Sequence, residues 1–241
     1  PEDAGMNSDK LQEAVDYAFN QVAIDGEFLS QNTQGLVIIR HGAIVAEKYA
    51  PESTKDTIAT SWSSAKSFTS ALMGVALDKG YISSIHIPAA NFIEEWQNNE
   101  MQNVLVKNLL MMSSGLKEKD GDDGPVMYSG ALKEDGSIDY SKPVNNKIFS
   151  IHDREVDPNR AHWRGANYNW NYQNADTQII GEIIEKTTKM GLYEFANGVL
   201  FSKIGMEATW WKDAFDNYMP WCCIDATTRD FARFGLLYAR E

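Results

Sequence analysis

The stretch Ser63–Lys79 is small or apolar around almost its whole circumference, and it restricts the fold of this 241-residue chain more than any other feature. It opens on Ser63-Ser64-Ala65-Lys66-Ser67-Phe68, and Gly80 follows Lys79 as a helix stop. A helix with so little polar face is expected to be central and buried. Ala65, Ala71, Gly74 and Ala76 would let its neighbours approach closely. Such a helix needs a layer to pack on, and a sheet is the natural partner in a mixed fold.

The rest of the chain offers little obvious sheet. Gly35-Leu36-Val37-Ile38-Ile39-Arg40, a His41-Gly42 turn, and Ala43 to Tyr49 read as one β-hairpin. Helical stripes run over Ser8 to Val22, Val104 to Met112, Asp176 to Thr188, Leu192 to Leu200 and Thr227 to Arg240. Pro51 to Thr60 reads as a polar connection, and Lys117 to about Pro158 as a long polar stretch. An isolated two-stranded sheet is at best marginally stable in water. With no other strands, Val37, Ile39, Phe68 and Leu72 would stay partly wet, each forgoing about 1.5–3 kcal/mol of burial. The last apolar stripe also stops mid-pattern, without a cap. We therefore expect further antiparallel strands, from a missing C-terminal segment or a second chain.

Charge narrows the possible partners. The chain carries 22 basic and 34 acidic side chains, a formal net charge of -12, and no basic stripe, so a nucleic-acid backbone is not an expected ligand. A hydrophobic fraction of 43% with 23% charged residues is that of an ordinary globular protein. No apolar run approaches the roughly 18 residues that a membrane-spanning helix needs. Cys222 and Cys223 are adjacent, cannot staple distant segments, and read as two partly buried small residues. Asp120-Gly121-Asp122-Asp123-Gly124 misses the EF-hand spacing and reads as a solvated loop, so no metal or cofactor is expected. Neither a leader at the Pro1 end nor a compartment, exported or cytoplasmic, can be read from these residues.

Chemistry concentrates at Ser63 and Lys66. Ser and Lys three apart on a helix share a face, so the amine can reach the hydroxyl. A serine is a weak nucleophile until a base takes its proton, and a neutral lysine can do so. Burial and the positive end of a helix both favour the neutral amine, and free N–H groups at that end can stabilise an oxyanion. About one Ser-x-x-Lys is expected by chance in such a chain. Two occur, the other being Ser114-Gly115-Leu116-Lys117, at a glycine turn before the polar stretch. Position favours Ser63.

A second cluster is Asn169-Trp170-Asn171-Tyr172-Gln173-Asn174, before the helix near Asp176. A phenol beside a cation can act as base or acid, and Asn174 could offer an amide to a substrate carbonyl. A histidine triad would need His41, His86, His152 or His162 close to Ser63. The lysine and tyrosine already account for activation.

Together these segments resemble the penicillin-recognising serine hydrolases, the superfamily of class C β-lactamases and DD-peptidases. Trp62-Ser63-Ser64-Ala65-Lys66-Ser67-Phe68 is similar to their first motif, Tyr172-Gln173-Asn174 to their Tyr-x-Asn motif, and Leu109 to Leu116 to the segment between. Asp176 to Gly181 and Arg229 to Leu237 look most like the branch containing 6-aminohexanoate-dimer hydrolase and related esterases. The resemblance implies an α+β fold, with an antiparallel sheet flanked by helices and a mostly helical domain. It divides the chain into 1–80 (sheet domain with the nucleophile helix), 81–225 (helical domain) and 226–241 (return to the sheet). The family's third motif, a Lys/His-x-Gly-type strand giving the second oxyanion N–H, would fall beyond residue 241. Ser63, Lys66 and Tyr172 are then the expected catalytic residues, Asn174 a substrate-binding one, and the substrate a small amide or ester. A β-lactamase or DD-peptidase, and a non-catalytic binding or sensor protein on the same fold, are the alternatives.

Overall fold

The computed structural model describes residues 1–24, 27–30, 32–119, 126–127, 131–132, 138–157 and 170–240. Among these the main helices are α1 (Ser8–Phe19), α2 (Ala65–Asp78), α3 (Val106–Leu110), α4 (Asn146–Ile151), α5 (Asn174–Thr188), α6 (Leu192–Ala196), α7 (Ser202–Ile204) and α8 (Thr228–Tyr238). The strands are β1 (Gln21–Ile24), β2 (Glu27–Ser30), β3 (Gly35–Arg40), β4 (Ala43–Tyr49), β5 (Ile58–Thr60), β6 (Ala131–Leu132), β7 (Ile138–Asp139), β8 (Ala208–Trp210) and β9 (Ile224–Thr227). Helices with small antiparallel sheets are the α+β composition expected from the sequence. The acidic loop at 120–124, His162 and Asn169 lie outside the described residues. The chain gathers into two compact units: Pro1–Thr60 with Phe201–Ala208 and Asp225–Glu241, and Ser61–Leu200 with Thr209–Ile224.

The first unit is built on the expected hairpin. β3 and β4 pair antiparallel from Gly35↔Tyr49 to Arg40↔Ala43, with a bulge between Ile38 and Ile39. His41 and Gly42 both have positive φ, 50° and 80°, the two-residue turn whose twist matches that of paired strands. α1 presents Leu11 and Val15 as its buried face and lies along β4, and α8 lies on β3. A Cβ on Gly35 would meet the Thr228 hydroxyl at 2.5 Å, so only glycine allows the start of α8 so close to the strand. Thr227 and Asp230 cap α8 reciprocally, the Thr227 hydroxyl donating to Asp230 at 2.6 Å and accepting from its N–H at 3.2 Å.

An ion pair ties this unit together. Arg229 donates through Nε and Nη2 to the two oxygens of Glu47, each at 2.6 Å, and the Tyr49 hydroxyl donates to Glu47 as well. The guanidinium holds the Glu47 carboxyl below its ordinary 4.5. A depressed carboxyl contributes stability above its unfolded value and loses it as pH falls through the folded one. Glu47→Gln is therefore expected to lower the melting temperature at pH 7. The gap to the wild type should close as pH falls below about 4.5. Melts of both proteins from pH 7 to 3 test this, and a gap independent of pH would contradict it.

Several strands escape the sequence patterns. β5 pairs antiparallel with β9 through Ile58↔Thr227, Ala59↔Ala226 and Thr60↔Asp225, within what reads as a polar connection. β1 and β2 form a further hairpin in which Val22 belongs to a strand, so the first helical stripe ends earlier than its apolar spacing suggests.

In the second unit the innermost helix is α5, with 12 of its 15 residues buried. α2, α3 and α4 all pack against it. α2 buries one face only: Ala65, Phe68, Thr69, Leu72, Met73 and Ala76. Phe68 and Leu72 are 2% and 0% exposed, so the expectation that they stay partly wet fails, because helices supply the packing assigned to a sheet. Ser67, Ser70 and Gly74 lie on the exposed side, and Gly74 has open space where a Cβ would be. The small residues there do not serve close approach among the described residues.

Candidate active site

The site lies entirely within the second unit and begins at a strained turn. Trp62 has φ 46°, a left-handed conformation that costs a bulky residue about 1–3 kcal/mol. It is held from both sides. The Ser61 N–H donates to the Ile224 carbonyl at 2.8 Å, and the Ile224 N–H donates to the Ser61 hydroxyl at 2.9 Å. The Trp62 carbonyl accepts from the Ser61 hydroxyl at 3.0 Å and from the Cys223 N–H at 3.3 Å. These bonds fix where the next residue starts. Ser63 sits in a 3-10 turn over Trp62–Ser64 that leads directly into α2, at the electropositive end of that helix.

Ser63, Lys66 and Tyr172 come together. Lys66 Nζ lies 3.0 Å from Ser63 Oγ, and the Tyr172 hydroxyl lies 2.8 Å from the same oxygen. Lys66 Nζ also donates to the Trp221 carbonyl at 2.7 Å and stands 4.8 Å from the centre of the Tyr172 ring. Ser63 is exposed, Lys66 half-buried, and Tyr172 44% exposed. The hydroxyl thus faces solvent with the Lys66 amine nitrogen on one side and a phenol on the other. An amine or a phenolate at that distance has the geometry to accept a hydroxyl proton.

The bonds that orient Lys66 and Tyr172 come from segments without a recognisable motif. Pro220 and Trp221 are laid across two helices: the Thr69 hydroxyl of α2 donates to the Pro220 carbonyl at 2.7 Å, and Gln178 of α5 donates to the Tyr218 carbonyl at 3.2 Å. A Cβ on Gly181 would meet the Pro220 ring at 2.6 Å, so glycine in the middle of α5 is what admits this segment. A glycine inside an otherwise strong helical stripe was the available signal for Pro220 and hence for the Trp221 carbonyl.

Tyr172 is placed by the turn after α3. The Asn171 N–H donates to the Met112 carbonyl at 2.8 Å, and Gln173 Nε2 donates to the Leu116 carbonyl at 2.6 Å. Met112 and Gly115 take positive φ, 53° and 75°, to turn those carbonyls toward the loop. The segment Leu109–Leu116 thus acts as the bracket for Tyr172.

The other candidates fall elsewhere. Ser114 is buried and its hydroxyl accepts from the Leu116 N–H at 3.3 Å, while Lys117 points to Glu155 at 3.2 Å, so this Ser-x-x-Lys is not a functional pair. Ser114→Ala is expected to leave hydrolysis within about twofold of wild type; a larger kinetic loss would contradict this placement. Asn174 opens α5 and is buried, with its Oδ1 unpartnered among the described residues. Among the described residues, no histidine bonds Ser63, and His152 faces Glu95 at 3.4 Å. No group of three or more metal-ligating side chains occurs among those residues, and no helix is long and apolar enough to cross a membrane. Cys222 and Cys223 are both 1% exposed and joined to each other as a disulfide. They pack in a core cluster with Met127, Met219 and Trp221, and adjacency keeps them from tying distant segments.

A cleft of about 180 Å³ shares Trp62 with the turn that carries Ser63 and is otherwise lined by Met127, Pro143, Val144, Trp211, Lys212, Asp213, Ala214, Met219 and Cys223.

A family model described as beta-lactamase matches residues 27–217. No curated protein sequence matches. Among solved structures, the chain is similar to a protein described as a 6-aminohexanoate-dimer hydrolase from Bacillus anthracis, at 20% identity and a TM-score of 0.69, covering 91% of this chain and 59% of that one. It is similar to an octameric penicillin-binding protein homologue from Pyrococcus abyssi at 19% identity and 0.65, covering 97% and 56%. It is also similar to a penicillin binding protein from Bacillus halodurans at 14% identity and 0.61, covering 86% and 71%. At these identities the likeness is one of fold. The chain spans less than two thirds of the first of these structures.

Proposed function

Because this chain belongs to the beta-lactamase family, among the penicillin-recognising serine hydrolases, we propose that it supplies the nucleophile and proton-transfer groups of a serine hydrolase for small amides or esters. One observation carries the reading: Ser63 Oγ lies within hydrogen-bond reach of both Lys66 Nζ, at 3.0 Å, and the Tyr172 hydroxyl, at 2.8 Å.

In this reading Ser63 Oγ attacks the substrate carbonyl carbon while its proton passes to the Lys66–Tyr172 pair. The negative charge that develops on the carbonyl oxygen is stabilised at the N-terminal end of α2, with the Ser63 amide as one donor. The pair returns the proton to the departing amine or alcohol, leaving an acyl-Ser63 ester. Water, activated by Tyr172, then releases the acid and restores the serine. The Trp221 carbonyl keeps Lys66 aimed at Ser63 throughout. Asn174 is assigned to the substrate carbonyl through its side-chain amide, on its place two residues after Tyr172 in the Tyr-x-Asn segment.

A fluorophosphonate probe should attach to Ser63 in the intact protein, as read by peptide mass spectrometry. A binder that has lost turnover would leave Ser63 unlabelled. A panel of p-nitrophenyl esters, nitrocefin and short ω-amino amides separates esterase, β-lactamase and amidase chemistry. Preferential turnover of nitrocefin would replace the amide-or-ester reading with the β-lactamase one.

A further inference from the structure

The cleft that shares Trp62 with the Ser63 turn has a composition that discriminates among substrates. Trp62, the residue before the nucleophile, forms one wall, and Trp211, Met127, Met219, Pro143 and Val144 supply most of the rest. Trp62 and Trp211 are both exposed and line one cleft together, and grouped apolar side chains mark binding surfaces where scattered ones do not. Among the described residues only two charged side chains line the cleft, Lys212 and Asp213, and they cancel. Each is also engaged. Lys212 Nζ bonds Asp216 at 2.9 Å and lies 4.5 Å from the centre of the Tyr218 ring. The Asp213 carboxylate accepts from the N–H groups of Asn146, Phe215 and Asn217, at 2.9, 2.9 and 3.0 Å. Counting Asp216, the local balance is negative, and so is that of the whole chain, at -12.

Resting on the reading of Ser63 as nucleophile, we propose that this cleft is the specificity pocket and that it takes an uncharged, hydrophobic arm of the substrate next to the scissile carbonyl. Its volume sets the size. An apolar cavity of about 150 Å³ accommodates benzene, so about 180 Å³ holds one aromatic ring or a short alkyl chain. Among the described residues, a carboxylate at the end of such a chain meets one cation, Lys212, already paired with Asp216, and two acidic neighbours, Asp213 and Asp216. The preferred substrate is then a neutral medium-chain or aryl ester or amide.

The test uses two matched ester series. One varies the acyl side (acetyl, hexanoyl, glutaryl) and the other the alcohol side (methyl, hexyl, 5-carboxypentyl). In whichever series reaches the cleft, the neutral six-carbon arm is expected to exceed both the short and the anionic arms in kcat/KM by about tenfold or more. Ala214→Trp, which fills the cleft from an exposed position, should bring that ratio close to one. Trp211→Ala, which removes a wall, should lower it. Equal rates across both series, or preference for the anionic arms, would overturn the proposal, as would an unchanged ratio in both variants.

A second arm does not depend on turnover. In Ser63→Ala, saturation-transfer NMR should show N-phenylhexanamide bound and its glutaric acid counterpart not bound, and Ala214→Trp should abolish the signal. Absence of fluorophosphonate label at Ser63 with this binding intact would overturn the reaction and keep the pocket. Label at Ser63 with no such binding and no ester preference would overturn the pocket and keep the reaction.

Discussion

Ser63→Ala is expected to lower kcat by several powers of ten, on the order of 10⁴ to 10⁶, while leaving the fold as it is. The kinetic loss follows from removing the atom that Lys66 Nζ and the Tyr172 hydroxyl both reach. The structural neutrality follows from position: Ser63 is exposed, and among the described residues its hydroxyl bonds Lys66 and Tyr172. A surface change of this kind moves stability by no more than about 0.5 kcal/mol. For a chain of this size the melting temperature then shifts by about 1–2 °C. Measuring kcat and the thermal midpoint on the same preparation checks both halves. Retention of most of the activity would remove the acyl-enzyme mechanism. A large drop in midpoint would mean that lost activity reports unfolding.

The second large effect is a failure of additivity. Lys66 Nζ and the Tyr172 hydroxyl reach one oxygen, and Nζ stands 4.8 Å from the centre of the Tyr172 ring. Groups that act on a single proton in sequence work as a unit. Lys66→Ala and Tyr172→Phe are each expected to lower kcat by about 10³ or more, and the double variant by about as much as either alone. Losses that multiply in the double variant would show that the two act independently. Stability separates them in a different way. Lys66→Ala removes one hydrogen bond to the carbonyl of buried Trp221, a loss of about 0.5–1.5 kcal/mol. Tyr172→Phe removes a hydroxyl from a half-exposed ring and should leave the midpoint almost unchanged. A melt of each single variant tests this contrast.

The error about α2 is instructive because the sequence pattern was read correctly and its consequence was not. A stripe of small and apolar residues says that a helix can be buried, but not how many of its faces are covered. α5, which carries Asp176, Gln178 and Glu182 among its buried residues, is more enclosed than α2 although its sequence is more polar. Buried polar side chains find partners only once the chain is folded, so composition alone ranks the two helices in the wrong order. The strands β5 and β9 were missed for a related reason. Segments of three and four residues are too short to show a period of two, and they exist because Ile58–Thr60 meets Asp225–Thr227 across more than half the chain.

What the sequence determined by itself is whatever a few neighbouring residues can specify. The hairpin turn follows from His41-Gly42, the start of α8 from Thr227 and Asp230, and the approach of Lys66 to Ser63 from three positions of helical spacing. Each is a contact within a handful of residues, where backbone geometry leaves few alternatives. Only the tertiary structure decided that Tyr172, 109 residues on, shares the Ser63 oxygen, and that the Trp221 carbonyl, 155 residues from Lys66, aims the amine. It also decided which of two Ser-x-x-Lys pairs is assembled, and that the cleft at Trp62 is aromatic and without net positive charge. Those outcomes depend on loops turned by positive φ at Trp62 and Met112 and on a helix opened by Gly181 to admit Pro220. Contacts at such separations carry no local periodicity, so they become visible only when the packing that forces them is in place.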